Sequence, residues 1–198
     1  MRDMRVIAGR LRHAELETPR GMRTRPITDR VKESLFNILG HRFGTLGHLP
    51  DIAVLDLFAG SGALGIECLS RGACTCLFVE HDRRALRTLR ANITRLGLAD
   101  SARIARENAW TMRVPPAAGD GYGLVFVDPP YRDLADPLRM VDLLERLVPR
   151  LSPQGLAVLR HATSFTFSAD RLEGLTAVDD RVFGMMRILL LQRAADAR

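Results

Sequence analysis

The chain has 198 residues, 46% of them hydrophobic and 26% charged, which suits one domain with a small appendage. No run approaches the roughly 18 apolar residues of a membrane span, and the basic start "MRDMRVIAGRLRH" lacks a signal peptide's apolar core; a soluble, cytoplasmic protein without a membrane partner is expected. The net charge of +6 is unevenly spread, with nine Arg/Lys against four Asp/Glu in residues 1–32 and twenty against nineteen in the remainder.

In chain order, "RVIAGRLRHAELETP" has short apolar stretches broken by Gly9 and ended by Pro19, as in a small hairpin or extended arm. "PRGMRTRPI" is a Gly/Pro/Arg loop. The basic residues are almost all arginine, Lys32 being the only lysine. Their concentration here favours a polyanion-binding arm over a solvated face, with Arg10, Arg12, Arg23, Arg25 and Arg30 as candidate phosphate contacts. "TDRVKESLFNILG" carries a helix signature, with Thr28 as N-cap, Asp29 in the first turn, Gly40 as the stop, and Val31, Leu35, Ile38 and Leu39 on one face.

Strands and helices then alternate. "IAVLDLF" reads as a buried strand, followed by a glycine-rich turn and the helix "ALGIECLSR". "TCLFVE" is the next strand, and "DRRALRTLRANITRLG" an amphipathic helix with Leu86, Leu89, Ile93 and Leu96 inward. "ARIAREN" and "GLVFVD" are strands, "PLRMVDLLERLVPRL" a helix, "GLAVLR" a fifth strand, and "LTAVDDRVFGMMRILLLQR" two strands joined by a turn. Such alternation implies an α/β fold, a mainly parallel sheet covered on both faces. Cys68, Cys74 and Cys76 have no partner pair elsewhere, so they read as reduced thiols, and no metal site is expected.

"DLFAGSGALG" places Gly60, Gly62 and Gly65 in G-x-G-x-x-G spacing after a strand and at the opening of a helix. Glycines let backbone approach a ligand closely, and the helix start offers free N–H groups. Glu80 ends the next strand 20 residues later, where a carboxylate can accept hydrogen bonds from ribose hydroxyls. Nicotinamide enzymes and methyltransferases that use S-adenosylmethionine share this pattern. Two features separate them. Asp56, just before the glycines, suits the amino end of methionine and would repel a pyrophosphate. "DPPY" then follows the apolar run "LVFV". Pro129 and Pro130 enforce an extended strand exit. An amine conjugated to a base ring is planar and a poor nucleophile. The Asp128 side chain and the Pro129 carbonyl can accept its two hydrogens and aim its lone pair, while Tyr131 stacks on the base. No strong general base is needed.

The sequence resembles the RsmD-like family of 16S rRNA guanine-N2 methyltransferases, within the class I methyltransferases. The resemblance is carried over nearly the whole chain by "MRVIAGRLRH", "RPITDRVKESLFNIL", "LDLFAGSGALGIECLSRGA", "VEHD" and "LVFVDPPY". It implies a Rossmann-like fold with a seven-stranded sheet flanked by helices, a basic N-terminal arm or hairpin over residues 1–27, and a single methyltransferase domain over 28–198. It implies S-adenosyl-L-methionine as cofactor and rRNA or the small ribosomal subunit as partner, for a protein expected to be a monomer. On the resemblance, Asp56, Phe58, Gly60, Gly62, Glu80, His81, Asn108 and Ala109 line the cofactor pocket. Phe36 and Asn37 join it from the preceding helix, although Phe36 reads equally well as a core contact. The catalytic segment would be Asp128, Pro129, Pro130 and Tyr131, and Trp110 reads as packing. The chain departs from the family pattern after the fifth strand, with Arg160 and His161 where an acidic residue is usual. It departs again in the tail, where only Gly184 remains of a tyrosine–glycine–x–threonine pattern.

Other readings stay open on the residues. A DNA amino-methyltransferase of the adenine-N6 type uses the same chemistry. Protein-glutamine methyltransferases more often carry Asn at the Asp128 position, which counts against them. A nicotinamide oxidoreductase accounts for the glycines and Glu80 but leaves "DPPY" idle, and an inert RNA-binding assembly factor accounts for the arm alone.

Overall fold

A computed structural model describes residues 4–19, 27–134 and 136–194. The strands form a mostly parallel seven-stranded sheet with helices, as the alternation implied, and the chain divides into two compact units, Met1–Asn108 and Ala109–Arg198.

In the first unit a two-stranded antiparallel hairpin, β1 (Met4–Arg5) and β2 (Glu15–Leu16), precedes α1 (Asp29–Arg42). Then come β3 (Ala53–Leu57), α2 (Ala63–Ser70), β4 (Thr75–Val79), α3 (Arg83–Arg95) and β5 (Ala102–Ala105). β3 pairs parallel with β4 and β4 with β5. All five residues of β3 are buried, four of them apolar and the fifth Asp56, as in a strand covered on both faces. Thr28 caps α1 as expected, accepting from the Val31 N–H. Gly40 does not stop the helix. α1 runs to Arg42 and ends at Gly44, whose φ of +67° lets its N–H reach the His41 carbonyl while the Thr45 N–H reaches that of Gly40. Gly40 lies under this returning loop, where a side chain would collide with the Thr45 carbonyl. Along α3, Leu86, Leu89 and Ile93 are buried as expected; Leu96 is half-exposed, because it caps the helix end and Leu98 fills the core instead.

The second unit holds β6 (Tyr122–Val127), α4 (Pro137–Leu147), β7 (Leu151–Ala162), β8 (Leu175–Phe183) and β9 (Met186–Arg193). β6 and β7 are parallel, and the tail is the expected strand pair, β9 lying antiparallel between β7 and β8. α4 is shorter than the apolar pattern suggested: Pro149 cannot donate to a helical ladder, so Val148–Arg150 tighten into a 3-10 turn and Leu151 already begins β7. Trp110 is buried with the Arg139 guanidinium 4.4 Å from its ring centre, which bears out packing.

Candidate active site

Two groups of predicted residues can be placed, one in each unit. In the first, β3 leaves the sheet at Leu57 and turns through Phe58–Gly62 into α2. Phe58, Gly60 and Gly62 all lie in the left-handed region, at φ +64°, +58° and +87°. For a phenylalanine this costs about 1–2 kcal/mol, the kind of strain that concentrates at functional turns. The glycines have different physical reasons. A side chain on Gly60 would meet nothing within 4 Å, so this backbone faces open space. A Cβ on Gly62 would lie 2.5 Å from Leu89, and one on Gly65 2.3 Å from the Phe78 ring, so these two serve close packing of α2.

Two buried carboxylates fix the turn. Asp56, 1% exposed, accepts from the Gly65 N–H at 3.0 Å, in the first turn of α2, where the helix dipole favours negative charge. Glu80 accepts from the Gly60 N–H at 2.9 Å through one oxygen, and from the His81 and Asp82 N–H groups through the other. Both therefore shape the turn whatever else they hold. His81 is exposed, its Nδ1 3.6 Å from Glu80. Asn37 and Asn108 are exposed and Ala109 is buried. Phe36 is 1% exposed, with the Arg71 guanidinium 4.5 Å from its ring centre.

A buried ionic hub beside this turn escaped the sequence reading. Glu67 on α2 is fully buried between Lys32 (3.5 Å) and Arg71 (2.8 Å), and accepts from the Ile7 and Ala8 N–H groups. Gly9, at φ +80°, passes so close to the end of α2 that any side chain would overlap the Ser70 carbonyl; Arg10 and Leu11 donate to Ser70. Asn92, fully buried on α3, accepts from the Glu17 N–H and donates to the Glu17 and Ser61 carbonyls. The signal was there in each case: a glutamate within an otherwise apolar helix, and an asparagine on the inward face of α3. Of the predicted phosphate contacts, Arg10, Arg12 and Arg30 are exposed, while Arg23 and Arg25 lie outside the described residues.

In the second unit, Asp128 follows β6 and faces Arg160 of β7. The register Val127↔Leu159 makes these two the next opposed pair. The guanidinium grips the carboxylate through both Nε and Nη2, each contact 2.5 Å, with side chains 12% and 16% exposed. Burial pushes the Asp128 carboxyl above its ordinary value and the Arg160 charge opposes that rise. A carboxylate has about four acceptor positions and the fork uses two, so two remain for a ligand. Pro130 is extended (ψ 136°), and Tyr131, 38% exposed, opens a 3-10 turn to Asp133. In the sequence Arg160 stands out only as a departure from the family pattern; strand register is what reveals its partner. Among the described residues no group of three or more His, Cys, Asp or Glu could hold a metal ion, and no helix is long and apolar enough to cross a membrane.

Known proteins with related sequences and folds identify the family. The family model described as Conserved hypothetical protein 95 matches residues 4–192. The chain is 42% identical over 132 residues to the putative rRNA methyltransferase YlbH of Bacillus subtilis, covering 66% of this chain and 68% of that one. It is 41% identical over 130 residues to the ribosomal RNA small subunit methyltransferase D of Escherichia coli, covering 66% of this chain and 61% of that protein's length. Among solved structures, the putative methyltransferase yhhF from Escherichia coli superposes with a TM-score of 0.74 at 31% identity, over 98% of this chain and all of that one. With the family model spanning nearly the whole chain, the protein belongs to the Conserved hypothetical protein 95 family, the RsmD-like methyltransferases that its motifs resemble.

Proposed function

We propose that the protein methylates an exocyclic amine of an RNA base, guanine N2 of 16S rRNA in the small subunit being the target that the family resemblance implies. The observation that carries the reading is Asp128: a carboxylate fixed at a strand end, with two acceptor positions left over and a partly exposed tyrosine three residues on. S-adenosylmethionine, when bound, supplies the electrophilic methyl group. The open backbone at Gly60, with Phe58, Glu80 and His81 around it, fits such a ligand, and Asn37 and Asn108 are exposed and able to contribute. Asp128 and the Pro129 carbonyl hold the amine hydrogens, which directs the nitrogen lone pair outward. Tyr131 stacks the base, and the two prolines keep the segment from relaxing. Arg160 keeps the Asp128 carboxylate charged and in one rotamer. Arg10, Arg12 and Arg30 contribute phosphate contacts.

Transfer of labelled methyl groups to small-subunit rRNA, to duplex DNA or to neither tests the proposal. Label in guanine N2 of rRNA supports it, label in DNA adenine favours the DNA amino-methyltransferase reading, and label in neither overturns it.

A further inference from the structure

We propose that α3 and the end of β5 form a phosphate-binding hollow that grips the backbone of the RNA substrate, at a place distinct from the N-terminal hairpin. The proposal rests on the RNA-methylating reading above. Arg83, Arg84, Arg87 and Arg90 of α3 and Arg106 beyond β5 line one concavity of about 530 Å³, with Leu86 among them. This is within the usual range for a ligand site. No carboxylate lines it. Several arginines elsewhere have carboxylate partners: Arg5 with Asp29, Arg71 with Glu67, Arg146 with Asp142, Arg187 with Asp180. Among the described residues none of the five in the hollow has such a partner.

The arrangement works against the fold that carries it. Arg83 and Arg84 occupy the first turn of α3, which holds no acidic residue, so they face the positive end of the helix dipole. Arg83 and Arg87 are four residues apart, and Arg87 is three from both Arg84 and Arg90, spacings at which like charges repel. The N-cap carboxylate, Asp82, accepts from the Ala85 and Arg84 N–H groups; those bonds hold its pKa down, with a smaller contribution from the Arg84 charge, so it offsets only part of the cluster. Helix propensity and core packing need leucine and alanine on the inward face; they do not need four arginines outward. An anion is what relieves the repulsion. Arg83 to Arg90 spans about 10 Å along the helix, which suits a run of backbone phosphates better than one isolated ion. Arginine's fork also matches phosphate oxygens in pairs.

The test compares R87Q/R90Q with the charge-matched control R113Q/R171Q, which alters exposed arginines outside the hollow. Affinity for a single-stranded RNA fragment of the small subunit is measured against salt. Losing two phosphate contacts should flatten the log–log slope by about 1.4, so that between 50 and 200 mM salt the variant loses about seven-fold less affinity than the wild type. The control should keep the wild-type slope, and R87K/R90K should largely restore it, since charge suffices for that term. Pyrophosphate competing at the hollow without any change in RNA slope would mark a free-nucleotide site and overturn the RNA assignment. An unchanged slope in R87Q/R90Q, from a protein that still binds and methylates rRNA, would overturn the hollow alone. Absence of RNA binding by the wild type would instead overturn the functional reading beneath it.

Discussion

Replacing Arg160 with methionine keeps an apolar stem but removes both hydrogen bonds to Asp128. Burial already raises the Asp128 carboxyl and only Arg160 opposes it, so the variant's carboxyl rises further. An opposite charge at contact distance lowers a carboxyl by about 1–3 pH units. The acid limb of the methylation rate should therefore move up, because the amine needs a charged acceptor. Stability follows the same linkage. A carboxyl whose folded pKa lies above its unfolded value, 3.8, contributes stability that is complete below that value and is lost as pH rises through the folded pKa. R160M raises the folded pKa, so its stability deficit is largest near neutrality and shrinks on acidification. Removing one partner of a buried pair costs about 3–5 kcal/mol, and with both side chains partly exposed the lower end is expected. R160M/D128N, which leaves no unpaired charge, should recover most of it. Single-turnover methyl transfer across the neutral range, with urea titrations at two pH values, measures both effects. An acid limb that stays in place in R160M, with an unchanged urea midpoint, would refute the assignment.

Four further outcomes are expected. Glu80→Ala should weaken S-adenosylmethionine binding by about 1–3 kcal/mol in calorimetry and lower the melting temperature, because it frees three backbone N–H groups as well as the ligand contact. Gly65→Ala should cost about 1–3 kcal/mol in urea by pressing on Phe78, whereas Gly60→Ala should cost only about 1–2 from its left-handed φ while cutting cofactor affinity. His161 is 1% exposed and burial lowers its pKa, so stability should fall as pH drops below about 6.5 toward the folded value, a dependence that His161→Phe should abolish in a pH series of urea midpoints. Asn92→Ala strands the Glu17 N–H and two carbonyls; it should cost about 1–3 kcal/mol and open residues 4–19 to limited proteolysis.

Most of the α/β frame could be read from the chain because buried strands and amphipathic helices announce themselves by period, and the caps by residue type. Thr28 and the turn at Gly60–Gly65 are such cases. Misread positions were those where a local rule met a tertiary one. Gly40 looked like a stop because glycine often follows helices, but here the returning loop needed the space. The partners of Glu67 and Asp128 were unreadable for another reason. Lys32 lies 35 residues from Glu67, and Arg160 lies 32 from Asp128; only the packing of α1 on α2, and the β6–β7 register, brings them together.

The N-terminal charge excess illustrates what that packing adds. A basic segment of this composition would serve as a loose tether if nothing held it, raising local RNA concentration without orienting it. Instead Glu67, Ser70 and Asn92 each hydrogen-bond the backbone of residues 7–17, and Asn92 also holds the Ser61 carbonyl inside the glycine turn. Two of these three anchors sit on α2, the helix that the turn launches. The exposed Arg10 and Arg12 are therefore presented at a set position relative to Gly60, and the same first unit carries the α3 arginines. A phosphate captured at either place has its position fixed with respect to the turn proposed to hold the methyl donor. Placement of a nucleophile within a few tenths of an ångström is where a reaction without a strong base gains its rate. On the proposed function, the buried polar residues on α2 and α3 would convert positive charge, which alone gives affinity, into orientation.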